Sequence, residues 1–142
     1  MNALPSLFER ASAEIVELHV FFVDWYDKAT CADTDFSRFD KVMGPGMVMI
    51  PPSGEMLERD AVVDYVRNNR GTFDGDYAIE IADIRSAWQA DGAIALTYIE
   101  TQQRRGVHTA RRASVLFTES SSTPNGVEWR HLHETWMQTV ET

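Results

Sequence analysis

A chain of 142 residues, 44% apolar and 25% charged, has single-domain size and buries roughly two-thirds of its unfolded surface, so disorder is excluded. Thirteen basic against twenty-two acidic residues leave a formal charge of −9, which repels nucleic acid and anionic membranes at long range. Its single cysteine, Cys31, forbids an internal disulfide, permits a reducing compartment and, among nearby carboxylates, reads as an inert structural residue.

The opening Met1-Asn2-Ala3-Leu4-Pro5 carries no leader-like pattern, and no apolar run reaches bilayer length, so a cytoplasmic protein without membrane contact is expected. No repeat or linker composition divides residues 1–142, which read as one domain. Ser6 followed by Glu9 forms a capping box. Leu7, Ala11, Ile15, Leu18, Phe22 and Trp25 then recur at helical spacing. His19, on the flank of this helix, reads as solvated. The last turns, from Val20 to Tyr26, carry too broad an apolar arc for a surface helix. Asp33 to Asp35 can cap a short second helix bearing Phe36, Phe39, Val42 and Met43, stopped by Gly44-Pro45-Gly46.

Met47 to Ile50 reads as a short strand ended by Pro51-Pro52-Ser53-Gly54, and a third helix places Ala61, Val62, Tyr65 and Val66 on one face. From Asp76 the period changes to two. Four strands are expected, at about Asp76 to Gln89, Ala93 to Arg104, Val107 to Glu119 and Val127 to Thr139. Asp91-Gly92, Arg105-Gly106 and Pro124-Asn125-Gly126 supply hairpin chemistry. The expected architecture is α+β: three N-terminal helices packed on a curved antiparallel sheet, enclosing a cone.

Two stretches resemble the nuclear-transport-factor-2-like superfamily, in its SnoaL-like and kinase-association-domain-like branches. The first runs from Met47 to Tyr65, with Glu58 in place of the usual Gly. The second comprises Arg112 to Phe117 and Trp129 to Thr135, in which His133 matches the first His of the family pattern and Thr135 replaces the second. The resemblance implies a cone-shaped pocket for a small molecule and a homodimer formed through the outer sheet face. Its members are isomerases, dehydratases, cyclases, epoxide hydrolases or binding modules, and fold alone does not choose among them. The acid that ketosteroid isomerases carry at the end of the first strand is replaced by Ile50-Pro51-Pro52, and their second acid falls near Ser114. That isomerase mechanism is disfavoured.

Face assignments follow from the resemblance and from strand alternation. With Trp129, His131, His133 and Thr135 outward at a dimer interface, Arg130, Leu132, Glu134 and Trp136 face the cone. Arg112, Ser114 and Leu116 then join Leu96, Tyr98 and Glu100 inside. Trp25, Tyr26, Met47, Met49 and Tyr65 complete the expected lining. The candidate catalytic set is Glu100 or Glu134 as base, Arg112 as anchor and Tyr98 as donor; the same groups equally make a structural ion-pair network. A two-residue Arg105-Gly106 loop sets Glu100 opposite Arg111, and a three-residue loop sets it opposite Arg112. His131, His133 and His108 lack a carboxylate at a spacing that would complete a ligand set, so no metal and no cofactor are expected.

Overall fold

The structure, a computed structural model, describes residues 5–138. The expected end of the last strand at Thr139 and the first four residues of the N-terminal pattern lie outside the described residues. Helix α1 spans Leu7–Tyr26, and the Ser6 hydroxyl accepts from the Glu9 amide at 3.1 Å, which satisfies one of the four unpaired N–H groups of the first turn. A single 3-10 turn, Cys31–Asp33, leads to α2, Ser37–Asp40. Asp35 initiates α2, its two carboxylate oxygens accepting from the Ser37 amide at 2.9 Å and hydroxyl at 2.8 Å.

Strand β1 covers Met43–Ile50, β2 Leu57–Glu58, α3 Arg59–Asn68, β3 Tyr77–Ala90, β4 Ala93–Arg104, β5 Val107–Glu119 and β6 Val127–Trp136. The second helix is therefore shorter than its spacing predicts, and Gly44-Pro45-Gly46 lies within β1 instead of ending a helix. The irregularity of the β1–β6 register between Met43 and Val48 accommodates this: Pro45 needs no ladder donor there. Gly44 is required for a second reason, since a Cβ there would meet the Trp129 carbonyl and the Arg130 side chain at 3.0 Å.

The six strands form one open sheet in the order β2-β1-β6-β5-β4-β3. β3 to β6 pair antiparallel as the hairpin chemistry predicts, whereas β1 pairs parallel with β6, so the sheet is mixed. Three helices pack on its curved inner face, with α1 against β3, β4 and β6 and α3 against β1. Among the described residues no helix is long and apolar enough to cross a membrane.

Two local features decide which side chains look inward. The β4–β5 hairpin turns in two residues, with Arg105 at φ 52° and Gly106 at φ 76°, the left-handed pair of a type I′ turn. Arg104 therefore pairs with Val107, and Glu100 with Arg111. Between β5 and β6 the register shifts: Leu116 pairs with His131 but Phe117 with Trp129. Arg130 is the extra residue of that bulge, and alternation is reset across it.

A buried carboxylate locks α1 to this framework. Glu14 is fully buried; it accepts from Arg38 at 2.8 and 3.1 Å, from Asn125 at 3.1 Å and from the Trp129 indole at 3.0 Å. Its four donors come from α2, the β5–β6 loop and β6, so one side chain joins three elements.

Candidate functional site

Between the helices and the inner sheet face lies a cavity of about 710 Å³, within the size range of small-molecule sites. Its walls are mostly apolar: Leu18 and Phe22 from α1, Met47 and Met49 from β1, Val62 and Tyr65 from α3. One end is polar. Alternation along β4 directs Glu100, Gln102 and Arg104 inward, β5 adds Arg111, β6 adds Glu134, and α1 contributes His19.

His19 is the principal correction to the expected solvated role. It is buried, with Nδ1 2.6 Å from the Ile15 carbonyl and Nε2 2.9 Å from Glu100 Oε1. The carbonyl can only accept, so Nδ1 carries a proton. Burial pushes the imidazole pKa down, but its hydrogen bond to Glu100, the Glu100 charge and the Ile15 carbonyl outweigh burial and raise it. Burial likewise pushes Glu100 up, and the His19 hydrogen bond and charge, with a bond from Gln102, bring it below the usual carboxylate range. The two form a buried histidine–carboxylate pair. The signal for His19 was present in the sequence, since Ile15, Leu18, His19 and Phe22 are spaced as one helical face.

Glu134 differs. It is buried and only 3.3 Å from Arg111 Nη1, and burial followed by repulsion from Glu100 raises its pKa despite Arg111. Arg111 also places its guanidinium 4.7 Å from the Trp136 ring centroid, and Arg104 lies 3.5 Å over the Phe73 ring. The Nε atoms of both arginines are buried without a hydrogen-bond partner among the described residues.

Of the expected lining residues, Tyr26, Met47, Met49, Tyr65, Glu100, Leu132 and Glu134 border this cavity. Leu96 and Tyr98 are inward but fully buried behind it, and the Tyr98 hydroxyl has no partner among the described residues. Trp25 is core between α1 and α3, its indole donating to the Val66 carbonyl at 2.8 Å. Trp136 sits on Arg111 and is 54% exposed.

Arg112, Ser114 and Leu116 point outward, because the two-residue hairpin pairs Glu100 with Arg111 and alternation then turns Arg111, Ala113, Val115 and Phe117 inward. Arg112 reaches Asp83 at 3.8 Å instead of the cavity. Trp129 is also reversed: it is buried against Phe117, ring centroids 4.7 Å apart, and borders the cavity. The bulge at Arg130 explains why Trp129 can face inward with Leu132 and Glu134 while His131 pairs with the outward Leu116. Arg130 itself, expected inward, reaches Glu128 at 3.3 Å. His133 and Thr135, opposite Ser114 and Arg112, are exposed on the outer face. Arg111, Gln102, Arg104 and Tyr77 are among the lining residues that face assignment by resemblance missed.

A carboxylate with a raised pKa on the wall of a mostly apolar cavity can accept or return a proton, and adjacent guanidinium groups can hold a negative charge. Among the described residues no group of three or more His, Cys, Asp or Glu side chains is placed to hold a metal ion.

No curated protein matches the chain. Among solved structures it is similar to an NTF-2-like protein of unknown function from Pseudomonas aeruginosa, with 25% identity, coverage of 91% of this chain and 99% of that chain, and a TM-score of 0.81. The fold is shared with the CaMKII hub of S. rosetta, at 12% identity, 96% and 100% coverage and a TM-score of 0.70. It is shared also with a candidate ketosteroid isomerase from Parabacteroides distasonis, at 12% identity, 89% and 88% coverage and a TM-score of 0.61. The family model described as sucrose-6-phosphate phosphohydrolase C-terminal matches residues 11–138. This chain therefore belongs to the sucrose-6-phosphate phosphohydrolase C-terminal family and has a nuclear-transport-factor-2-like fold.

Proposed function

We propose that this chain is a single small-molecule-binding domain that works as a homodimer in the cytoplasm. The observation that carries the reading is the cavity itself: about 710 Å³ with an apolar wall and one polar end, the composition of a site that encloses a ligand body and orients its head. Core packing alone would fill such a space, because voids forfeit contact energy.

Self-association is supported by the outer sheet face, where cross-strand neighbours Trp88, Ala95, Leu116 and His131 lie side by side, with Trp88 56% exposed. His131, His133 and Thr135 belong to that proposed interface; Trp129 does not. The single cysteine fits a reducing compartment.

A second reading, a cofactor-free acid/base enzyme of the dehydratase, cyclase or isomerase type, is favoured by Glu134 alone. Its carboxyl borders the cavity and its pKa is raised by burial and by Glu100, so it is the base this reading requires. Glu100, tied to His19, is the weaker candidate, and Arg111 takes the anchoring role first given to Arg112.

The test is a thermal-shift screen of small apolar compounds on the native protein and on Met49→Trp, which fills the cavity. A ligand at about one hundred times its Kd stabilises by about 2.7 kcal/mol, a shift of several degrees. Compounds that raise Tm in the native protein are expected to lose that effect in M49W. Equal shifts in both proteins, or none in either, would refute an enclosed site.

A further inference from the structure

We propose that the polar end of the cavity is a subsite for a single carboxylate, which Arg104 and Arg111 hold while the apolar wall encloses the rest of an aliphatic or aromatic acid. The inference rests on the small-molecule reading above and names the ligand class. It starts from a count of partners. The lining contributes one imidazole, His19, two guanidinium groups, Arg104 and Arg111, and two buried carboxyl groups, Glu100 and Glu134. His19 is matched by Glu100 at 2.9 Å and Arg111 by Glu134 at 3.3 Å. Arg104 has no carboxylate partner within ion-pair distance among the described residues; Asp74, which feels its charge, is exposed and paired with Lys28 at 2.9 Å. Glu55 also borders the cavity, but it is exposed to solvent on the turn after β1.

Arg104 is therefore a guanidinium of the lining without a carboxylate partner among the described residues, inside a chain of formal charge −9. Long-range attraction does not account for anion capture by such a protein, so the recognition must be short-range. The donors for it exist: the Nε–H groups of both arginines are buried and have no partner among the described residues, and a guanidinium offers its N–H groups in a planar fork that matches a carboxylate. Arg104 is held flat by the Phe73 ring at 3.5 Å and Arg111 by the Trp136 ring at 4.7 Å, so little side-chain freedom is lost on binding. A monoanion gives Arg104 the partner it lacks. A phosphate dianion would bring a second negative charge beside Glu100 and Glu134, which favours the carboxylate over the phosphoester.

Isothermal titration at about pH 7, where carboxylates are ionised, compares 4-phenylbutyrate, its neutral amide and 3-phenylpropylphosphonate on the native chain. The carboxylate is expected to bind roughly tenfold more tightly than the amide, the scale of one charge-assisted hydrogen bond. In Arg104→Gln that ratio should fall to near one with amide affinity retained. Should R104Q fail to fold, Arg104→Lys keeps the charge but not the planar fork, and is expected to lose most of the preference. Carboxylate and amide binding alike in the native chain would overturn the subsite and leave the small-molecule reading standing. No binding of any probe would overturn both. Tighter binding of the phosphonate would refute the monoanion, and undiminished carboxylate binding by Met49→Trp would move the site outside the cavity and refute the proposal.

Discussion

Removing the His19 ring tests whether the buried pair at the head of the cavity is a coupled unit. In His19→Leu the Glu100 carboxylate, 4% exposed, loses its 2.9 Å partner and keeps only Gln102 and the charge of Arg111. Breaking a buried ion pair from one side costs about 3–5 kcal/mol, because the remaining charge is uncompensated. Replacing both, as His19→Leu with Glu100→Met, removes the stranded charge and should cost far less than the sum of the single changes. Urea unfolding followed by circular dichroism at about pH 5.5 gives the three free energies. That pH is chosen because it lies between the ordinary values of 4.5 for Glu and 6.5 for His. His19 has a raised pKa in the fold, so its contribution is complete below 6.5 and is lost as pH rises through the folded value. Glu100 has a depressed one, so its contribution is complete above 4.5 and is lost as pH falls through the folded value. Additive costs in the double variant, or a single-variant cost below about 1 kcal/mol, the range of exposed pairs, would refute the pairing.

Two further outcomes follow from the other buried carboxyl groups. Glu134 has a raised pKa in the fold, so it costs stability as pH climbs from 4.5 through that raised value; Glu134→Gln should flatten this part of the stability–pH curve, read from urea midpoints, and an unchanged slope would contradict the assignment. Glu14→Ala leaves Arg38 and the Trp129 indole without their acceptor and is expected to cost about 3–5 kcal/mol. Trp129→Phe, which deletes one hydrogen bond to that carboxylate, should cost less, about 1.5–3 kcal/mol for a bond to a charged group; a reversed order in denaturation midpoints would show that Glu14 is not the anchor.

Local chemistry carried much of the fold. The Ser6 cap, the helical stripe from Leu7 to Trp25, and the hairpin residues Asp91-Gly92 and Arg105-Gly106 act over a few residues, so they were legible along the chain. The strand limits Ala93–Arg104 and Val107–Glu119 follow from those turn residues. The resemblance of Met47 to Tyr65 and Trp129 to Thr135 supplied the superfamily. What local chemistry left open was which face each strand turns inward, because a one-residue slip exchanges every side chain between core and solvent. Arg112 and Arg111 were exchanged in this way, and only the pairing of Arg104 with Val107 decided between them.

By itself, then, the sequence determined the α+β class and the order of the helices and long strands, since periodicity and turn residues encode short-range geometry. Tertiary structure alone decided the parallel pairing of β1 with β6, the bulge at Arg130 that turns Trp129 inward, and the meeting of His19 with Glu100 across 81 positions of chain. The physical reason is that these depend on where separate elements come to rest against one another. A histidine on a helix flank stays solvated or becomes the buried partner of a carboxylate according to whether a strand far along the chain brings that group within hydrogen-bonding reach of its ring.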